Sequence, residues 1–231
     1  MIADMSIWTR IAHALSALAS GEGLSALFDR LRPPPEKTVA FTIAVIALGA
    51  KMAKADGQVT RNEVAAFRQV FAIPPGEEAN AARVFNLARQ DVAGFDAYAR
   101  KIKAMFREDS RVLVDLMEGL FHISVADGSW HPQEEAFLKE VAEIFGVGDR
   151  CFRSLQGRFV PGAEPDPYDV LGIAPDASAT EARAAWKQAV RDSHPDRMQA
   201  RGVPAEAVKL AEQRLVAINT AWEKISSKQA A

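Results

Sequence analysis

The sequence predicts an all-α protein, and three observations lead to that fold class. Apolar residues recur at intervals of three and four along almost every segment, and no window alternates apolar and polar residues as a strand would. Proline-rich stretches at 32–37, 73–78 and 157–167 interrupt the helical pattern. Hydrophobic residues make up 48% of the 231 positions, which is enough to build a buried core.

Composition excludes several classes of protein. The formal net charge is −2, and neither half is basic enough to predict nucleic-acid binding. Cys151 is the single cysteine, so no internal disulfide or cysteine-based zinc site can form. We therefore expect a cytoplasmic protein, with a peripheral position at the inner face of the membrane as the alternative.

Residues 1–38 are predicted to form an N-terminal helical segment. The pattern at 7–19 is that of an amphipathic helix, but Arg10 is its only Lys or Arg, so we expect it to pack on a bundle core rather than on a membrane surface. The longest apolar run, 39–50, is shorter than the roughly 20 residues that cross a bilayer, and it predicts a buried helix.

A repeated pattern organises the next region, 39–156. Residues 55–63 are echoed 71 positions later by 126–134, and both copies begin Ala-Asp-Gly. Each copy follows an apolar helix and precedes an amphipathic one, which predicts a duplicated helix, turn and helix in a bundle. The Asp-Gly pair is expected to form the turn, since glycine readily adopts a positive φ.

Two interpretations of the duplicated turns stay open. In the first, Thr60 and Glu63 form a capping box, Glu134 lies in the first helical turn of the second copy, and no cofactor is required. In the second, Asp56, Glu63, Asp127 and Glu134 face one another and bind a divalent metal. Neither copy has the further oxygen ligands of an EF-hand loop, which favours capping.

The paired Ala-Asp-Gly segments and their flanking apolar helices resemble the TerB-like domain of tellurite-resistance proteins over roughly 39–150. The resemblance implies an all-helical bundle with acidic residues at the duplicated turns and a role in binding metal or a partner. His131 stands where the first copy has Thr60, so the two turns are not equivalent.

A linker at 157–165 is predicted to precede a second domain at 166–231. Ser178 and Glu181 have the spacing of a capping box, so a helix should begin at Ala179. On one face of this helix three cations recur every four residues and lead towards His194; they are Arg183, Lys187 and Arg191.

The stretch His194-Pro195-Asp196 ends that helix. Pro195 cannot continue it, because proline lacks an N–H and its ring clashes with the preceding turn. A loop and a last helix from about Pro204 should follow, and apolar gaps of three and four along this helix predict an antiparallel hairpin. Ser193, His194 and Asp196 are chain neighbours, which do not readily adopt triad geometry, so we expect no enzyme.

Four ordered segments carry a second resemblance: PYDVLGI, ASATEARAAWKQAV, HPDR and RLVAINTAWEKI. They are similar to the J domain of Hsp70 co-chaperones, and the domain order resembles the DjlA type. The resemblance implies binding to Hsp70 (DnaK) through seven residues: Arg183, Lys187, Arg191, His194, Pro195, Asp196 and Arg197. Gln188 and Asp192 stand where many J domains have basic residues, so the basic stripe is thinner here.

The resemblances imply an Hsp70 co-chaperone whose J domain stimulates ATP hydrolysis and whose TerB-like domain targets or regulates it, through a client or a membrane-associated partner. The alternative is a metal-responsive or membrane-stress scaffold in which the acidic bundle is the main functional part. Nucleic-acid binding through the basic stripe is disfavoured, because three cations beside Asp192 neutralise few phosphates. The sequence predicts neither the client nor the oligomeric state.

Overall fold

The computed structural model describes residues 7–16, 37–55, 73, 76, 78–90, 94–106, 110–126, 128–204 and 208–230. Over these ranges the chain forms helices and no strand, which confirms the all-α prediction. The N-terminal helices are α1 (Ile7–Ser16), α2 (Lys37–Ala55), α3 (Glu78–Gln90), α4 (Phe95–Met105), α5 (Ser110–Ser124), α6 (Pro132–Phe145) and α7 (Asp149–Phe159). The C-terminal helices are α8 (Pro167–Leu171), α9 (Ala179–Asp192), α10 (Pro195–Arg201) and α11 (Val208–Ala230).

Helix α2 lies at the centre of the N-terminal bundle. Every residue of 39–50 is buried, and α2 packs against α3, α4, α5 and α6. A helix that is apolar all round is stable in water only when neighbours cover it on every side. The prediction of a buried helix at this apolar run is confirmed.

Helix α1 covers one side of the bundle. Trp8, Ile11 and Leu15 follow one another at gaps of three and four, and all three are buried where α1 packs on α2 and α3. The expected packing on the bundle is therefore confirmed for 7–16. The remainder of the predicted 1–38 segment lies outside the described residues, apart from the first turn of α2.

The second copy of the repeat forms a helix, turn and helix, as predicted. Gly128 has φ +84°, and His131 precedes α6 as its N-cap with Pro132 in the first turn. The backbone N–H of His131 donates to Glu134 Oε2 at 3.2 Å, which is the carboxylate half of a capping box. Of the first copy, Ala55 ends α2 and 56–63 lie outside the described residues.

Helix α7 leads to the C-terminal domain and extends to Phe159, three residues into the segment predicted as linker. Phe152 and Phe159 of α7 both contact the ring of Phe121 on α5, with centroids 5.2 and 6.2 Å apart. The chain then crosses back over the end of α7, where a Cβ on Gly157 would stand 2.8 Å from the Cα of Pro165. This crossing requires glycine at 157.

The C-terminal domain has its own small core. Leu171, Ile218 and Ala221 are buried in it, and the rings of Trp186 and Trp222 stack on it 5.3 Å apart. The predicted capping box of α9 is confirmed, since the N–H of Ser178 donates to Glu181 Oε2 at 2.8 Å and the N–H of Glu181 donates to Ser178 Oγ at 3.3 Å.

The segment after His194 is a helix, α10, and not the loop that the sequence pattern predicted. His194 is its N-cap, Pro195 takes the first position, where a missing N–H costs nothing, and Gly202 ends it with φ +104°. The proline that ends α9 thus begins the next helix. Its seven residues are too few for an apolar period to be recognised.

Within the described ranges, no helix combines the length and the apolar character that crossing a bilayer requires.

We expect Gly157→Ala to lower the free energy of unfolding by about 1–2 kcal/mol, because the added methyl group meets backbone that cannot move aside easily. The matched control is Gly119→Ala, also inside a helix, whose Cβ would sit 3.5 Å from Val45 in ordinary contact. Alanine favours the helix there, so stability should stay the same or rise by up to about 1 kcal/mol. Urea unfolding at pH 7 checks both, and equal effects would contradict the close crossing.

Candidate functional site

The tip formed by His194 and Asp196 is open to solvent. The two side chains are 60% and 86% exposed. The Nδ1 atom of His194 accepts the backbone N–H of Asp196 at 3.3 Å, and Asp196 Oδ2 lies 3.6 Å from the same nitrogen. Because Nδ1 acts as an acceptor, the proton of the neutral ring resides on Nε2. The tip therefore presents an N–H donor and a carboxylate side by side.

The backbone under this tip is held by the first turn of α10. The carbonyl of His194 accepts the N–H groups of Arg197 and Met198 at 3.0 and 3.1 Å. Pro195 fixes its own φ, and Met198 is buried beneath the turn. Few conformations are open to the tip, so little entropy would be lost when it binds a partner.

A basic surface leads to the tip along α9. Arg183, Lys187 and Arg191 are all exposed, as the periodicity predicted. At 1.5 Å per residue, Arg183 lies about 16 Å along the helix from His194. Arg197 is also exposed and donates to Asp192 Oδ1 at 3.3 Å. The seven residues predicted to bind Hsp70 thus occupy α9 and the first turn of α10; whether they bind it stays a prediction.

The predicted metal ligands are mostly not described. Asp56, Glu63 and Asp127 lie outside the described residues. Glu134 is buried, and its Oε2 caps the start of α6. Among the described residues, no group of three or more His, Cys, Asp or Glu side chains could hold a metal ion. The metal site stays a prediction, and the geometry of Glu134 is that of a cap.

The sequence pattern missed a cluster of ion pairs buried between the two domains. Asp115 and Glu118 of α5 are 1% and 0% exposed. Arg214 of α11 reaches both of them, with Nη2 2.6 Å from Asp115 Oδ1 and a hydrogen bond to Glu118. Arg158 of α7 also binds Glu118, and Arg201 of α10 donates to Asp115 Oδ2 at 3.0 Å. We call these five residues the ion cluster.

The charges of the ion cluster stabilise one another. Burial by itself would raise the pKa of Glu118, but Arg158 and Arg214 outweigh it and hold that pKa below its ordinary value. Burial likewise would lower the pKa of Arg214, and Glu118 with Asp115 raise it. The carboxylate and the guanidinium therefore both stay ionised inside the protein.

Two titratable groups border the ion cluster. Burial lowers the pKa of His122, with Glu118 acting in the opposite direction, so the ring is neutral at pH 7. Burial raises the pKa of the Cys151 thiol above its ordinary value, so the thiol stays protonated at pH 7. Cys151 therefore lacks the thiolate character of a reactive nucleophile at neutral pH, whereas the neutral ring of His122 can accept a proton.

One sequence signal could have found the ion cluster. Asp115 and Glu118 stand three apart within the apolar run of α5, and that spacing places both on one helix face. Two carboxylates on a face that is otherwise buried require cationic partners. The signal does not say which arginines supply the charge, because the partners are up to 96 residues away along the chain.

A second ionic bridge joins the two domains, between α7 and α8. Arg153 of α7 donates twice to the carboxylate of Asp169 on α8, at 2.8 and 2.9 Å, and Arg150 lies 3.5 Å from it. Between this bridge and the ion cluster lies a cleft of about 600 Å³. Ionic contacts thus join the two domains on both sides of this cleft.

Comparison with known families matches both domains. Residues 42–157 match the family described as tellurite resistance protein TerB, and residues 166–230 match the DnaJ domain. The two domains stand in the order that the sequence predicted.

Comparison with curated proteins finds relatives along most of the chain that are named co-chaperone protein DjlA. The one from Escherichia coli K12 is 23% identical, with 97% of this chain and 99% of the relative covered. The one from Photobacterium profundum is 24% identical over 84% of this chain and 79% of the relative. The one from Coxiella burnetii is 27% identical over 85% and 80%. No solved structure matches the chain significantly.

We expect Glu118→Gln to lower the free energy of unfolding by about 3 kcal/mol at pH 7, because it removes the carboxylate that pairs with buried Arg158 and leaves Arg214 with Asp115 alone. The folded-state pKa of Glu118 lies below the ordinary value of 4.5. The contribution of Glu118 to the free energy of unfolding is therefore complete above pH 4.5. As the pH falls below 4.5 towards the folded-state pKa, the contribution is lost. The variant and the wild type should therefore converge in acid when urea unfolding is followed from pH 7 to pH 3.

The matched control for this experiment is Glu135→Gln, which removes a partly exposed carboxylate 2.7 Å from Lys139. A pair of that kind contributes about 0.5 kcal/mol. Equal losses in the two variants at pH 7 would show that the ion cluster does not stabilise the fold.

Proposed function

This chain belongs to the TerB family through its central bundle and ends in a DnaJ domain, and we propose that it stimulates ATP hydrolysis by a bacterial Hsp70, DnaK. The curated relatives named co-chaperone support that class of activity. The observation that carries the proposal is the tip, where His194 and Asp196 stand exposed at the end of a basic helix face. The ATPase chemistry belongs to Hsp70, and this chain acts as its regulator.

The basic face of α9 makes the first contact in this proposal. Arg183, Lys187 and Arg191 attract an acidic surface on ATP-bound Hsp70 and raise the rate of encounter. Asp192 and Glu181 lie on the same helix and reduce its net charge. The attraction is therefore modest, and orientation depends on the tip.

The tip then makes the selective contact. The Asp196 carboxylate meets a basic group on Hsp70, and the Nε2–H of His194 donates a hydrogen bond beside it. Binding can shift Hsp70 towards its hydrolysis-competent state only if the tip binds that state more tightly than the other. A preorganised tip maximises this difference, because little of the binding energy is lost in ordering it.

The TerB-like bundle targets or regulates this activity in our proposal. It would bring the J domain to a client or to a partner at the membrane, in the cytoplasm where DnaK resides. The exposed basic residues of α9 lie on the C-terminal domain, so the bundle is left available for that second contact.

We expect His194→Gln to abolish the stimulation of single-turnover ATP hydrolysis by DnaK. The side chain is 60% exposed but it is the N-cap of α10, so the variant should stay folded with Tm lowered by about 2–4 °C. His131→Gln is the matched control, because it replaces an exposed histidine in the bundle. Full stimulation by the His194 variant, or none by the wild type, would overturn the proposal.

Stimulation should also depend on salt. Raising the ionic strength from about 0.05 to 0.3 M shortens the range of electrostatic attraction and should raise the half-saturating concentration several-fold. The maximal rate should change little, because the tip contact forms at short range. At low salt, Lys187→Gln should raise the half-saturating concentration in the same way. If neither added salt nor this substitution changes the half-saturating concentration, α9 is not part of the binding surface.

A further inference from the structure

The tip joins helices that belong to two different cores. Helix α9, before the tip, packs with α11 in the C-terminal core, where Ala182 is fully buried. Helix α10, after the tip, places Met198 in the core of the N-terminal bundle. Val203, just after α10, and Leu210 near the start of α11 belong to that bundle core as well. The shape of the tip therefore depends on how the two cores are held relative to each other.

Arg201 connects the two sides of the tip to the bundle. Its Nη1 donates to the backbone carbonyl of Asp192 at 3.0 Å, and its Nη2 donates to Asp115 Oδ2 at 3.0 Å. Asp192 is the last residue of α9, and its carbonyl is one of those that a helix end leaves without an intrahelical partner. The buried guanidinium at the end of α10 thus binds both the end of α9 and the middle of α5.

A second arginine of the bundle reaches the same place. Nη1 of Arg111, at the start of α5, donates to Asp192 Oδ1 at 3.1 Å. The other oxygen of Asp192 accepts Nε2 of Gln188 at 2.8 Å. Asp192, which directly precedes Ser193 and His194, is therefore bound through both its backbone and its side chain. Arg111 of the bundle donates to the side chain, and Arg201, which is itself bound to Asp115 of the bundle, donates to the backbone carbonyl.

We propose that Asp115, Arg201 and Arg111 are positioning residues for His194 and Asp196, so that the TerB-like bundle sets the conformation of the J-domain tip. This rests on the proposed function. The three residues do not touch Hsp70; they fix the angle between α9 and α10, and with it the relative placement of the basic face and the tip. The bundle therefore holds the tip of the J domain in place, in addition to any targeting role.

Arg201→Lys tests the proposal in the full-length protein. Lysine keeps a cation beside the buried Asp115, so the fold is retained, but it has no planar fork that binds Asp115 and the Asp192 carbonyl together. The matched control is Arg153→Lys, the same substitution at the other bridge between the domains, where the partner Asp169 belongs to α8 and not to the helices that form the tip. Far-UV circular dichroism and Tm establish that both variants are folded.

The first readout is amide hydrogen exchange across residues 192–198, which needs no Hsp70. The reporters include the N–H of Ser193, bound to the carbonyl of Ala189 at 3.0 Å, and the N–H of Met198. Loss of a hydrogen bond to a charged group should speed exchange about tenfold in Arg201→Lys. Exchange in Arg153→Lys should match the wild type at the tip. Equal exchange in Arg201→Lys and wild type, or equal acceleration in both variants, overturns the proposal.

The second readout distinguishes an effect on the tip from an effect on the basic face of α9. In single-turnover ATP hydrolysis by DnaK, Arg201→Lys should lower the maximal rate several-fold, while the half-saturating concentration changes less than about twofold because the cations of α9 are intact. Arg153→Lys should change neither. A shift confined to half-saturation would overturn the positioning role.

The two readouts distinguish failure of this inference from failure of the proposed function. If the wild type does not stimulate DnaK, the co-chaperone proposal fails, and the exchange experiment still decides whether the bundle holds the tip. Should Arg201→Lys not fold, Arg111→Gln removes the second bond to Asp192 from a side chain that is 54% exposed. It should speed exchange at the tip about twofold, and no change there would overturn the inference.

Discussion

Asp115 and Glu118 lie one turn apart on α5 with almost no exposure, and carboxylates buried this deeply require cationic partners. The arginines that meet them come from α7, α10 and α11, and two of these helices lie beyond the linker. Complete neutralisation of the two carboxylates therefore requires docking of the C-terminal domain, which supplies two of the three arginines. The apolar contacts of α10 and the bonds around the tip all depend on that docking.

The boundary between the domains differs according to whether sequence families or cores define it. The family matches divide the chain between residues 157 and 166. The apolar cores divide it between α9 and α10 and again within α11, since Met198 and Leu210 join the bundle core while Ala182 and Ile218 join the smaller one. The division between α9 and α10 passes through the tip. A feature taken as part of one domain is thus built by two, and its rigidity comes from both.

Local signals in the sequence predicted local structure well. The capping box at Ser178, the buried helix at 39–50 and the glycine turn at Gly128 each depend on neighbouring residues, and each is present. Helix α10 was missed because seven residues carry no readable period. The ion cluster was missed for another reason. Periodicity shows which residues share a helix face, as it does for Asp115 and Glu118. It does not show which other helix packs against that face.

The carboxylates of the ion cluster precede their arginine partners along the chain, so they are also synthesised first. Asp115 is made 86 residues before Arg201, and Glu118 is made 96 residues before Arg214. Chains are synthesised from the N-terminus at about 5–20 residues per second, so the bundle helices emerge several seconds before their cationic partners. During that interval Glu118 has Arg158 of α7 as a partner, but Asp115 lacks both arginines that bind it in the folded protein. Packing of α5 around Asp115 must therefore wait for α10 and α11, whereas Glu118 can be buried earlier against α7.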